Sequence, residues 1–123
     1  MERQLILTSA SVCWQQLMQT TRTNIIASWG ISKKWAVELN GMGALAMKVN
    51  GFNFRGWIYA ALNRADDLYE IWTSKDLLKD PVKVKGGIYF DALGQELDSI
   101  IETDDDGTPE YHAKVDAWLR TII

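Results

Sequence analysis

Lys33-Lys34-Trp35-Ala36-Val37-Glu38-Leu39-Asn40-Gly41-Met42-Gly43-Ala44-Leu45-Ala46-Met47-Lys48-Val49-Asn50-Gly51 reads as two extended segments, each closed by the same dipeptide. Trp35, Val37 and Leu39 alternate with Ala36 and Glu38, and Leu45, Met47 and Val49 alternate with Ala44, Ala46 and Lys48. Alternation at a period of two is the mark of a strand with two different faces. Asn-Gly between such segments is the strongest short hairpin signal, because a type I′ turn needs positive φ at both central residues. The spacing therefore predicts strands over 33–39, 42–49 and 52–62, joined as an antiparallel meander.

Working outward, the polar loop Asn63-Arg64-Ala65-Asp66-Asp67 precedes a fourth strand from Leu68 to Thr73. Pro81 interrupts the chain, and Val82 to Phe90 reads as a fifth strand disturbed by Gly86-Gly87. Upstream, Trp14, Leu17, Met18, Ile25 and Trp29 fall on one helical face from a cap at Ser9 or Ser11, and Gly30 supplies the stop. The β-branched run Thr20 to Thr23 weakens that helix and predicts a kink or a division in two. Downstream, Asp91 precedes a helix bearing Leu93, Leu97, Ile100 and Ile101 on one side, ended by Asp104-Asp105-Asp106-Gly107. Thr108-Pro109-Glu110 is a helix start, and Tyr111, Val115, Trp118, Leu119 and Ile122 form the stripe that follows. That stripe is expected to pack on the body. The fold class is α+β: a four- or five-stranded antiparallel meander with one N-terminal helix and two C-terminal helices.

At 123 residues the chain has room for a single domain, 1–123, and its 47% hydrophobic content suits a packed core rather than disorder. Six tryptophans are spread through it, most of them expected in that core. Cys13 is the only cysteine, so no internal disulfide can form, and a small buried residue on a helix is its expected role. Leu5-Ile6-Leu7 is too short and too acidic in its flank for a secretory leader, and no run is long enough for a membrane span. A cytoplasmic protein without a membrane partner is the expectation.

Charge is segregated. Residues 1–90 hold eleven Lys and Arg against seven Asp and Glu, while 91–123 hold two against nine. The two parts are expected to attract each other, or the body to take an anionic ligand.

Catalytic and metal signals are weak. His112 has no nucleophile placed beside it, and one His with one Cys makes no zinc cluster. The acidic loop aligns Glu102, Asp104, Asp106 and Gly107 with the opening of a calcium loop, but Ala113 stands where the bidentate Glu belongs. Gly41-Met42-Gly43 has no helix start after it to make a phosphate loop. No cofactor, no metal and no enzyme activity are expected.

The constellation that remains comes from the hairpin registers. Two-residue turns at both Asn-Gly sites would place Leu39 opposite Met42 and Val49 opposite Phe52. One face then carries the rows Lys33–Lys48–Asn53, Trp35–Ala46–Arg55, Val37–Ala44–Trp57 and Leu39–Met42–Tyr59. The other carries Leu45, Met47 and Val49 beside Phe52, Phe54 and Ile58, and is core. Lys33, Trp35, Lys48, Arg55 and Trp57 are the candidate binding residues. The leading expectation is a non-enzymatic interaction protein that self-associates through an apolar sheet face or edge. The alternative is a single-stranded nucleic-acid binder, with cations tracking phosphates and rings stacking on bases. The acidic C-terminal quarter favours the first. Gly43, just past the first turn, could mark a bulge that would exchange the faces.

Overall fold

The computed structural model describes residues 2–102. Helices α1 (Arg3–Thr20) and α2 (Thr23–Ser28) precede five strands, β1 (Lys33–Leu39), β2 (Met42–Asn50), β3 (Arg55–Asn63), β4 (Leu68–Ser74) and β5 (Val82–Ile88). Helix α3 (Leu93–Glu102) follows. The strands form one sheet in the order β1-β2-β3-β4-β5, antiparallel throughout, so the α+β meander is observed with all five strands. The expected C-terminal helix and His112 lie outside the described residues.

The N-terminal segment divides where the β-branched run predicted, with Thr21 extended at φ −123° and ψ 136°. It begins earlier than the serines suggested, at Arg3, because Leu5, Ile6 and Leu7 continue the helix rather than precede it. Its buried face is Ala10, Cys13 and Leu17, whereas Met18 is exposed. Leu17 points into the core, and Met18, one residue on, turns away from that face. Gly30 ends α2 at φ +62°, in the left-handed region that favours glycine.

The first hairpin follows its sequence signal. Asn40 and Gly41 take φ values of 49° and 78°, Leu39 pairs with Met42, and pairing runs regularly to Lys33 opposite Lys48. Gly43 makes no bulge, since it sits opposite Glu38 in unbroken register. The second hairpin corrects the expectation. Val49 pairs with Gly56 and Asn50 with Arg55, so Asn50-Gly51 lies before the turn and the tip falls at Phe52 and Asn53. Gly51 closes it by donating to the Phe54 carbonyl at 3.0 Å.

The physical reason is α3. The Ile101 carbonyl accepts from the amides of both Asn53 and Phe54, at 2.9 and 3.1 Å, and the Asn53 side-chain amide donates to the Ile100 carbonyl at 3.0 Å. A Cβ on Gly51 would collide with the side chain and the backbone of Ile101. Gly51 therefore serves a close helix approach, not a turn. Because the slip moves each partner by an even number of residues, every side chain keeps its face.

All described helices share one side of the sheet. Leu45, Met47, Val49, Ile58, Ala60 and Ile71 meet Leu17, Trp29, Leu93, Leu97 and Ile101 in the main core. Trp29 is fully buried, and its indole N–H donates to Asp98 at 3.0 Å, which anchors α3 to the end of α2. Cys13 is buried here as expected; burial pushes its thiol up to about 12, with the Tyr69 hydroxyl partly opposing, so it is a packing group rather than a nucleophile.

Candidate interaction surface

The face away from these helices carries a second, smaller cluster of Leu39, Ala44, Ala46, Trp57, Tyr59 and Ala61. The true register changes its rows. Lys33, Lys48, Trp57 and Ser74 form one, and Trp35, Ala46, Tyr59 and Trp72 the next. Arg55 stands opposite Asn50, not Ala46, and Trp57 opposite Lys48, not Ala44. Those two assignments fail because the second tip sits two residues farther along than the Asn-Gly signal placed it.

Even so, Lys33, Trp35, Lys48, Arg55 and Trp57 do share one face, grouped toward the end of the sheet that holds the β2–β3 tip. Their exposure differs sharply. Trp57 is 6% exposed while Trp35, on the outermost strand, is 53% exposed, and Lys33, Lys48 and Arg55 are all exposed. One ring of the expected stacking pair is therefore open and the other closed.

Polar groups within this face are matched to one another. The Tyr59 hydroxyl accepts from the Leu78 amide at 2.8 Å and lies 2.6 Å from the Ser74 hydroxyl, which donates to the Asp76 carbonyl at 2.7 Å. This ties the β4–β5 loop to β3. Glu70 receives the Trp72 indole N–H at 3.0 Å and the Asn63 amide at 3.1 Å, with the Lys83 ammonium 3.5 Å away. Burial works to raise its carboxyl, but these donors and the Lys83 charge outweigh it and hold the group below its ordinary value. Glu70 is thus an ionised strut inside the sheet rather than a proton donor.

The two margins of the sheet are built differently. On β5 the pairing with β4 shifts register twice, Gly86 and Gly87 lie within the strand, and Lys83 and Lys85 along it pair with Glu70 and Glu96. Bulges and lysines are the usual protection of an edge against pairing with another chain. On β1 all seven residues pair with β2 in step, and among the described residues no strand pairs with its other side. Beside it lies a groove of about 350 Å³, lined by Leu7, Ala10, Trp14, Lys34, Trp35 and Leu45. The Lys34 ammonium sits 3.7 Å from the centre of the Trp14 ring, a cation–π contact joining α1 to β1. Sequence reasoning missed this groove, although the helix-side parity of Lys34 and the position of Trp14 on α1 held the signal.

Among the described residues no group of three His, Cys, Asp or Glu side chains could hold a metal ion, and no helix is long and apolar enough to cross a membrane. The chain matches no protein-family model, no curated protein and no solved structure.

Proposed function

We propose that the protein is a non-enzymatic interaction module that self-associates by pairing β1 with β1 of a second copy. The observation that carries this reading is a regular strand, outermost among the described strands, with Trp35 53% exposed upon it. Antiparallel pairing about a twofold axis at Ala36 sets Trp35 opposite Val37 of the other copy, and an aromatic with a β-branched residue is a favourable cross-strand pair. Symmetric closure leaves the blunted β5 strands as the outer edges of a ten-stranded sheet, which stops further growth.

Sedimentation equilibrium of the full chain tests this. A dimer is expected, and Trp35→Ala should raise its dissociation constant by about 30-fold or more, the effect of losing a central aromatic anchor. A monomer at every concentration sinks the reading. A monomer that binds single-stranded oligonucleotides, with salt-sensitive affinity lost on Lys33→Ala or Lys48→Ala, would instead support the nucleic-acid alternative through Trp35 and its neighbouring cations.

A further inference from the structure

We infer that the end of the sheet holding the β2–β3 tip and the β4–β5 connection docks on an anionic bilayer surface, with Leu77 and Leu78 entering the headgroup layer. Nothing in this depends on the β1 edge. One turn at that end is built from residues that do not suit it. The Lys79 amide donates to the Asp76 carbonyl at 3.1 Å, closing a β-turn with Leu77 and Leu78 at its centre. Leu78 takes φ +58° there, where glycine or asparagine is preferred because a β-carbon crowds the backbone. Neither leucine is spent on the core, since they are 39% and 44% exposed. A disfavoured backbone conformation kept for an apolar side chain left partly in water points to a contact made outside the chain.

The turn is held in place from below. The Leu78 amide donates to the Tyr59 hydroxyl at 2.8 Å, and the Ser74 hydroxyl beside it donates to the Asp76 carbonyl at 2.7 Å. Tyr59 is fully buried, so the connection is anchored to the floor of the sheet and its leucines are presented outward. An apolar pair already fixed in orientation loses little conformational freedom on docking.

Charge gathers at the same end. Lys75 and Lys79 flank the leucines, and Lys33, Lys48 and Arg55 stand at this end of β1, β2 and β3, all of them exposed. Asp76 and Asp80 are the acids of the connection, and the cations outnumber them. At the opposite end Arg64 stands with Glu38, Asp66 and Asp67. Cations around exposed apolar side chains are the combination that an anionic interface attracts. These cations are spread over neighbouring strands rather than along a groove, which suits a flat surface better than a single peptide. Single-stranded nucleic acid fits less well, because leucine offers no stacking ring and Trp57, in the row of Lys33 and Lys48, is closed. Docking of this kind needs no spanning helix, and it departs from the sequence expectation of no membrane partner.

The test is cosedimentation of the full chain with vesicles of phosphatidylcholine containing about 30% phosphatidylserine. Binding is expected, weakening as salt rises and absent from vesicles of phosphatidylcholine alone. Leu78→Gly removes the apolar group and suits the positive φ, so it should keep or raise the melting temperature while lowering vesicle partition about 10-fold. Lys75→Gln combined with Lys79→Gln should lower partition by about 10-fold or more. A parent chain that ignores the anionic vesicles, or binds both compositions alike, overturns the inference, as does a Leu78→Gly variant that binds like the parent. Salt-sensitive binding of single-stranded oligonucleotides without vesicle binding overturns it in favour of nucleic acid. Vesicle clustering separates this outcome from the β1 reading. A twofold axis at Ala36 sends the two docking ends to opposite ends of the shared sheet, so the dimer should cross-link vesicles and Trp35→Ala should abolish clustering but not binding. Binding without clustering by the parent sinks the dimer and leaves the docking end standing, whereas a dimer that binds no vesicles sinks the docking end alone.

Discussion

At Asn40 and Gly41 the backbone takes two positive φ values in succession, and a Cβ on Gly41 would meet nothing within 4 Å. At Asn50 and Gly51 the same dipeptide sits before the tip of its hairpin. Asn50 donates its amide to the Trp29 carbonyl at 2.9 Å, and Gly51 is pressed against Ile101. The first pair is read by local conformation and the second by tertiary contact. Identical residues ten positions apart thus answer to different forces, since a turn signal sets only a preference that a nearby helix end can override.

The largest effect expected from this contrast is at Gly51. Gly51→Ala drives a methyl group into the Ile101 backbone, whose carbonyl is already committed to Asn53 and Phe54, so it should cost about 2–4 kcal/mol in urea unfolding. Gly41→Ala meets open space and costs only the left-handed conformation, about 1–2 kcal/mol. Equal losses at the two sites would break the distinction. Next in size is Asn53→Ala, which removes the side-chain bond to Ile100 but leaves both backbone bonds to Ile101, with an expected loss of about 1 kcal/mol. A loss as large as that of Gly51→Ala would mean that the side chain, rather than the close approach, fixes the tip.

These cases also show what could be read from the sequence. Period-two alternation from Trp35 to Val49 found β1 and β2, and hence the meander, because the pattern of side chains on each face is fixed by burial. The even slip at the second turn left the faces right while moving Arg55 and Trp57 to new partners. Nothing local to residues 50–55 announces Ile101, which lies some fifty positions away in sequence. For the candidate surface, the shared face of Lys33, Trp35, Lys48, Arg55 and Trp57 was legible, but the closure of Trp57 and the openness of Trp35 were not. Exposure depends on which strand ends up outermost. Strand order follows from the meander, yet the contrast between a plain β1 edge and a blunted β5 edge needs the bulges seen only in three dimensions.

The smallest expected effect belongs to Glu102, which joins the second turn from α3 by accepting the Phe52 amide at 3.4 Å. Its side chain is buried, and Oε1 has no hydrogen-bond partner among the described residues. Burial raises its carboxyl above the ordinary 4.5 and the negative charge of Asp98 adds to the rise, while the Phe52 amide and the Ser28 hydroxyl work against it. The folded chain therefore holds this proton more tightly than the unfolded chain does. Its contribution to stability is fully present below the unfolded value and is lost as pH climbs through that value and then through the folded one. Glu102→Gln keeps an oxygen for the Phe52 amide and carries no charge. It should be slightly more stable than the parent at pH 7, by less than the Gly41→Ala change costs, with the difference shrinking as pH falls through the raised folded value and levelling off below the ordinary carboxyl value. Glu70 provides the opposite sign, because its lowered carboxyl stabilises the fold above its unfolded value and loses that effect on acidification. Paired urea titrations of the parent and Glu102→Gln at acid and neutral pH decide the matter. A glutamine variant that is weaker at pH 7 would show Glu102 to be a charged anchor like Glu70, and the second turn would then owe its position to an ionic contact as well as to the close approach of Gly51.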